Sequence, residues 1–198
     1  MPPKSSFTRG MLLDAAFKIV RGKGRDGLTA RSLASELNCS TMPVYSYLKS
    51  MKKLDTELRQ KAIDLMLTYQ TTPRIGQPFL DMGLGYVMFA KHEKNLFRFL
   101  FSGVDGERRR GNTGKVLRDF AFRSLIPKMK GDPALSGLGE SGLENVLNKM
   151  WIFVHGLAFL VNNNAFAADN EAYIEGLLRE TGIFVIQGEM AKGRGLIR

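Results

Sequence analysis

Between Leu28 and Leu54 the chain reads L-T-A-R-S-L-A-S-E-L-N-C-S-T-M-P-V-Y-S-Y-L-K-S-M-K-K-L, two short helical patterns parted by a three-residue turn. Neither pattern is long enough to hold as an isolated helix, so the pair must fold as helix, sharp turn, helix against a neighbour. Thr29 suits the first N-cap, because its hydroxyl accepts from a helix-start N–H that has no intrahelical partner. Leu33, Ala34 and Leu37 then share one face, with Glu36 near the end. Asn38 stands where the helix must stop, and after Gly it is the residue that best tolerates the left-handed conformation such a turn needs. Ser40 is expected to cap the second helix from Ser40 or Thr41, with Pro43 in its first turn, where a missing N–H costs nothing. Val44 and Leu48 form the buried i, i+4 pair. That leaves Ser40, Thr41, Met42, Tyr45, Ser46, Tyr47 and Lys49 as donors and ring edges suited to a DNA groove.

Charge is concentrated around the same segment. Residues 1–61 carry 12 Lys/Arg against 5 Asp/Glu, and residues 62–198 carry 17 against 14, so +7 of the net +10 falls in the first third of the chain. A surface that binds phosphates needs such a concentration. Ser50 reads as the N-cap of a further helix, yet Lys52 and Lys53 set two cations at the positive end of its dipole. Acidic residues would be favoured there by about 0.3–1 kcal/mol each. A phosphate close to that helix start reverses the sign and makes Lys52 and Lys53 candidate phosphate contacts.

F-T-R-G-M-L-L-D-A-A-F-K-I-V, G-L-T-A-R-S-L-A-S-E-L, the turn, V-Y-S-Y-L and Leu54 together resemble the TetR/AcrR family of bacterial transcription regulators over the first 60 or so residues. The resemblance implies an all-helical homodimer whose N-terminal domains bind operator DNA and whose C-terminal domains dimerise and usually take a small effector. Carried over by position, Thr29, Arg31, Thr41, Met42, Tyr45 and Tyr47 would face the DNA. Two positions depart from the family pattern. Pro43 stands where a small or hydroxyl residue is common, and Met51 where a phosphate-contacting lysine is common, which leaves that contact to Lys49, Lys52 or Lys53.

The expected division is a helix-turn-helix domain over 1–54 and a helical domain for dimerisation and effector binding over 55–198. A first helix is expected over about Phe7 to Arg21, with Phe7, Met11, Ala15 and Ile19 on its inner stripe. The fourth, about Ser50 to Gln70, carries Leu54, Leu58, Ala62 and Leu65 and links the two domains. After the Thr72, Pro73, Gly76 and Pro78 break, one helix is expected from Phe79 to Phe101. A further helix lies around Lys115 to Lys130 between Gly-rich loops that begin at Ser102 and Gly131. Arg108, Arg109 and Arg110 in the first loop read as a solvated charge run.

Leu143, Leu147, Met150, Val154, Leu157 and Val161 repeat at heptad spacing, and Trp151, His155 and Phe159 form a second stripe on the same helix. A helix apolar all round must be covered all round, so one side is expected on its own subunit and another on a partner. The last helix, Glu171 to about Gln187, supplies Ile174, Leu177, Leu178, Phe184 and Val185, and a charge placed at Leu157 is expected to part the subunits or unfold the chain. The Trp151-x-x-x-His155-Gly156 pattern, with A-K-H-E-K-N-L-F-R-F-L-F from Ala90, resembles a TetR-family subgroup known by a W-H-G motif, which implies an architecture and no ligand. Met88, Phe89, Phe97, Phe101, Phe122, Trp151, His155 and Phe159 are the candidate lining of an apolar effector pocket, an alternative to plain core.

Other chemistries find little support. Only His92 and His155 are available as imidazole ligands, they fall on different helices, and no Cys/Asp/Glu cluster joins them, so no metal or other cofactor is expected. There is no paired carboxylate, phosphate-cradling Gly-rich loop or nucleophile with a local base, so no catalytic residue is assigned. A single cysteine, Cys39, fits a reducing compartment. The opening M-P-P-K-S-S lacks a signal-peptide core, and the longest apolar stretch, Trp151 to Val161, is too short for a bilayer. A cytoplasmic, membrane-free regulator is expected. The alternatives are an architectural DNA-binding protein that takes no effector, or an all-helical enzyme with a fortuitous helix-turn-helix pattern.

Overall fold

A computed structural model describes residues 7–48, 51–101, 123–165 and 170–196, with the side chains of 46–48, 51 and 52 outside that description. The protein is all-α; no strand occurs among the described residues. In chain order the helices are α1 (Arg9–Lys23), α2 (Ala30–Glu36), α3 (Thr41–Leu48), α4 (Met51–Thr71), α5 (Pro78–His92) and α6 (Lys94–Phe101). Then follow α7 (123–129), α8 (Glu140–Asn162) and α9 (Glu171–Gly193), with short 3-10 turns at Arg25–Gly27 and Pro133–Leu135. The loop from Ser102, with Arg108, Arg109 and Arg110, and the first part of the helix expected from Lys115 lie outside the described residues.

The chain forms two compact units, one of Met1–Leu65 with Glu93–Ser102 and one of Met66–His92 with Gly103–Arg198. The division expected after Leu54 instead falls inside α4, and a later piece of chain returns to the first unit. That return follows from a break in the helix expected to run unbroken from Phe79 to Phe101. Glu93 leaves the helical path and is buried, and Arg21 at the end of α1 grips it with two donors, Nε to Oε2 at 2.7 Å and Nη2 to Oε1. Asn95 adds a bond from Nδ2 to the Arg21 carbonyl at 3.0 Å, and α6, which packs on α1, buries Leu96, Phe97, Phe99 and Leu100. Arg59 of α4 completes the tie, donating to the Phe99 carbonyl at 2.8 Å and lying over the Phe99 ring.

Within the first unit α1 buries Leu12, Ala15, Ala16, Ile19 and Val20. Met11, expected on the inner stripe, is 51% exposed, because the buried face is centred on Leu12 and Ala16 one position on. Thr29 does cap α2: its Oγ1 accepts from Ser32 N at 3.0 Å, and Ser32 Oγ accepts from Thr29 N at 2.9 Å, a reciprocal capping box. The helix closes on Asn38, whose φ is +49°, with Asn38 N donating to Ser35 O and Cys39 N to Ala34 O. These are the two bonds of a Schellman motif, which needs a left-handed residue at this position. Asn38→Ala should therefore cost about 1 kcal/mol, because alanine keeps the Cβ that crowds this conformation and loses the side-chain amide that offsets it, whereas Asn38→Gly, with no Cβ, should be close to neutral. A urea titration comparing the two variants decides it; no loss in either would mean that the turn tolerates any residue.

The second unit is built around α5, nearly all of which is buried from Leu80 to Ala90, with α8 and α9 packed on it and on each other. Gly85 lets α5 lie directly on the last turn of α4, since an added Cβ would overlap the Tyr69 carbonyl and the Gln70 backbone. All six heptad residues, Leu143, Leu147, Met150, Val154, Leu157 and Val161, are buried within this single chain. The seam thus belongs to this chain's own core, and of the two outcomes expected of a charge at Leu157, unfolding is the one that this burial favours. Asn162 Nδ2 donates to Ala90 O at 2.9 Å, and buried Glu189 takes bonds from Lys149 Nζ and Asn145 Nδ2, which pins α9 to α8.

Candidate nucleic-acid interface and effector cluster

In α3 only one described position turns fully inward: Val44 is completely buried, and Pro43 is half-buried. Thr41, Met42 and Tyr45 face outward, with Met42 80% and Tyr45 58% exposed, so an apolar side chain and an aromatic ring stand in water with no counterpart from the fold. Ser40 is exposed immediately before the helix. Thr29 and Arg31, at the start of α2, are exposed as well. Lys53 in the first turn of α4 is exposed, while Lys49 and the side chains of Ser46, Tyr47, Leu48 and Lys52 lie outside the described residues.

The framework cations of this unit are largely neutralised. Arg9 pairs with Glu57 at 2.9 Å, Lys18 with Glu36 at 2.6 Å, Arg21 with Glu93, Lys61 with Asp14, and Arg25 and Arg59 share Asp55 at 3.2 and 2.8 Å. Arg31 and Lys53 form no ion pair among the described residues. Among the described residues of 1–61, the cations left without an ion pair are Lys23, Arg31 and Lys53, two of them in the first turns of α2 and α4. Helix starts already present free N–H groups to an anion, and a cation in the same turn adds to that attraction.

No protein-family model and no curated protein sequence matches the chain.

The residues expected to line one effector pocket are divided between the units. Phe97 and Phe101, with ring centroids 4.8 Å apart, belong to the first, where Phe97 is fully buried in core. Met88, Phe89, Trp151, His155 and Phe159 belong to the second, and Phe122 lies outside the described residues. Phe89 is core, meeting Tyr69 edge-on at 5.6 Å, whereas Phe159 is 56% exposed and points away from any interior lining. What does assemble is a smaller group that sequence reading only half found. Tyr86 of α5 is buried with its Oη 2.9 Å from His155 Nδ1, and the His155 ring stacks on Trp151 with centroids 5.4 Å apart. The partner from α5 carried no local signal, since a tyrosine inside an apolar helix looks like any other core residue.

Burial pushes the Tyr86 phenol well above its ordinary range, an effect only partly offset by a hydrogen bond with Trp151. The hydroxyl stays protonated, and its hydrogen bond with Nδ1 holds the imidazole ring in place. Burial likewise lowers His155 below the ordinary histidine value. Between the lowered folded value and about 6.5 the unfolded chain binds a proton that the folded protein refuses. This contribution to stability is complete above about pH 6.5 and is lost as pH falls through that window. His155→Gln should flatten that part of the profile when urea midpoints are compared at pH 7.5 and 5.5; an unchanged slope would place the effect elsewhere.

Apolar surface remains on the outer faces of α8 and α9. Ile152, Phe159 and Leu160 on the first and Tyr173 and Phe184 on the second are exposed, Phe184 by 67%. Between them Gly156, Gly176 and Gly188 have open space where a side chain would stand. A monomer rarely leaves several large apolar groups together in water, and glycines among them allow a further helix to approach closely. Among the described residues no helix is long and apolar enough to cross a membrane, and no three His, Cys, Asp or Glu converge as a metal set.

Proposed function

We propose that the protein is a sequence-specific DNA-binding transcriptional regulator of the TetR/AcrR type, acting in the cytoplasm as a homodimer. It reads operator DNA with α3, and a small, largely apolar effector bound by the second unit releases it. The observation that carries this reading is the contrast within the first unit: six framework cations are paired, while the outward side of α3 and the first turns of α2 and α4 keep Thr41, Met42, Tyr45, Arg31 and Lys53 unengaged. A merely solvated face would not collect a methionine and a tyrosine at these exposures. Dimerisation is supported by the outer α8 and α9 residues, above all Ile152, Phe159 and Phe184.

A link between effector and DNA is available in α4, one unbroken helix that contributes Met51–Leu65 to the first unit and its remaining residues to the second. The effector must bind one arrangement better than the other; a differential of about 1–3 kcal/mol changes DNA affinity 5–150-fold, with the reciprocal effect of DNA on effector affinity.

Sequencing the genomic fragments that the protein retains supplies the operator, on which two kinds of variant should behave differently. Tyr45→Ala should lose roughly 1–3 kcal/mol on the preferred site and relax the choice at one base position. Arg31→Ala with Lys53→Ala should weaken all sequences alike and lower the salt slope by about 1 per phosphate contact. Retention of no fragment above background, or a double variant that binds like the parent at every salt concentration, would overturn the reading.

A further inference from the structure

In the second unit a cleft of about 400 Å³ opens between the start of α5, the 3-10 turn at Pro133–Leu135 and the middle of α9. We infer that this cleft is a binding site for a small neutral molecule with an apolar body and one carbonyl-type acceptor, held by Arg179. It shares no residue with the Tyr86, Trp151 and His155 group. Its regulatory consequence rests on the effector reading above, but ligand binding itself does not.

The walls are apolar, with Phe79 and Leu80 on one side, Leu178, Ile183 and Ile186 on the other, and Pro133 at the end. Gly182 keeps the space open: a Cβ there would meet Phe79 Cε1 only at 3.7 Å, so a side chain is missing where ordinary packing has room for one. The cleft does not depend on a ligand for its shape. Asp132 is buried at its base, its Oδ2 accepting from Phe79 N at 2.8 Å and its Oδ1 from Ala134 N at 2.9 Å. One carboxylate thereby fixes the turn to the first residues of α5. The volume sits at the small end of ligand pockets, which run from roughly 300 to 1,000 Å³, and mostly apolar walls with one fixed polar group are their usual make-up.

Charge selects the ligand class. Arg179 Nη1 donates to Gln77 Oε1 at 2.9 Å and Nη2 to Glu175 Oε1 at 2.7 Å, which uses two of the five guanidinium donors of a side chain that lines the cleft. A carboxylate ligand would bring a third negative group to a guanidinium that already answers Glu175, with Asp132 in the lining. A cation would face the guanidinium itself. A neutral carbonyl oxygen meets neither objection and takes a charge-assisted hydrogen bond.

The test uses the full chain with its isoleucine methyls isotopically labelled, titrated with 2-acetylnaphthalene, 2-ethylnaphthalene and 2-naphthoate, which share one ring system and differ in the acceptor. The ketone should shift the Ile183 and Ile186 methyls saturably and leave Ile19 unmoved. It should bind about tenfold tighter than the hydrocarbon, the worth of one hydrogen bond to a charged group, and tighter than the naphthoate. Arg179→Met should erase that preference without removing binding of the ring system, and Ile186→Trp should fill the cleft, each checked for an unchanged melting curve. Shifts confined to Ile152 on the outer face of α8, a preference for naphthoate, or no saturable shift would overturn the assignment. Release of operator by the ketone is measured separately, so a ligand that binds without releasing DNA would refute the regulatory link and leave the site standing.

Discussion

Gly85→Ala is expected to lower the melting temperature by about 10 °C, because a single methyl group would be driven into the backbone at Tyr69 and Gln70. Overpacking against flexible side chains costs typically 1–3 kcal/mol, and backbone gives way less readily, so about 3 kcal/mol is the expected loss, at roughly 2–4 °C per kcal/mol for a chain of this size. The loss should fall on the second unit, where the end of α4 and α5 are in contact. Gly22→Ala in α1 is the control. Nothing stands within 4 Å of an added Cβ there, so better helix propensity should leave stability equal or slightly higher. If both variants melted like the parent, the close approach of α5 to α4 would not exist.

If the protein is the proposed dimer, a carboxylate placed at Phe184 should separate the subunits while leaving each of them folded. Phe184 is exposed in the single chain, so the substitution costs the monomer almost nothing, but in a dimer covering this face it leaves an unpaired buried charge. About 4 kcal/mol is the order of that penalty, which raises the dimer dissociation constant at least about a thousandfold. Phe184→Glu should therefore sediment as a monomer with unchanged helical circular dichroism. Leu157→Glu should instead lose the circular dichroism signal, since Leu157 lies in the subunit's own core. A Phe184→Glu protein that remains a dimer would move the interface off the outer faces of α8 and α9.

The contrast between Leu157 and Phe184 shows what could and could not be read from the chain. Heptad spacing reveals that a helix has a buried seam, but spacing is the same whether α5 of one subunit or a second subunit covers it. The turn between α2 and α3 was legible for the opposite reason. Its determinants, a threonine cap and an asparagine able to take a positive φ, act over a few residues and need no distant partner. The capping partner turned out to be Ser32, which hydroxyl chemistry permits as well as the more familiar Glu or Gln.

The break at Glu93 had no such local sign. The run A-K-H-E-K-N-L-F contains neither Gly nor Pro, and what ends α5 is an ion pair reaching back 72 residues to Arg21. With that contact, Phe97 and Phe101 fall in the first unit and Trp151 in the second. The cleft beside Arg179 was equally hidden, because it depends on Asp132 bridging a Gly-rich loop to α5 across 53 residues. Charge was legible only in sum: the surplus in residues 1–61 was visible, but not which cations Glu57, Glu36, Asp55 and Asp14 would neutralise.

A footprint on the retained operator, repeated across a salt series, tests the central claim most directly. Two α3 helices related by a two-fold axis must protect two inverted half-sites about one helical turn apart, or a multiple of it. On the proposed reading, cations at Arg31 and Lys53 of each subunit would displace counterions from the DNA, so affinity should fall steeply and linearly on logarithmic axes as salt rises. The account predicts symmetric protection that fades in this way. Protection without inverted symmetry, at an affinity unchanged between low and moderate salt, would contradict it.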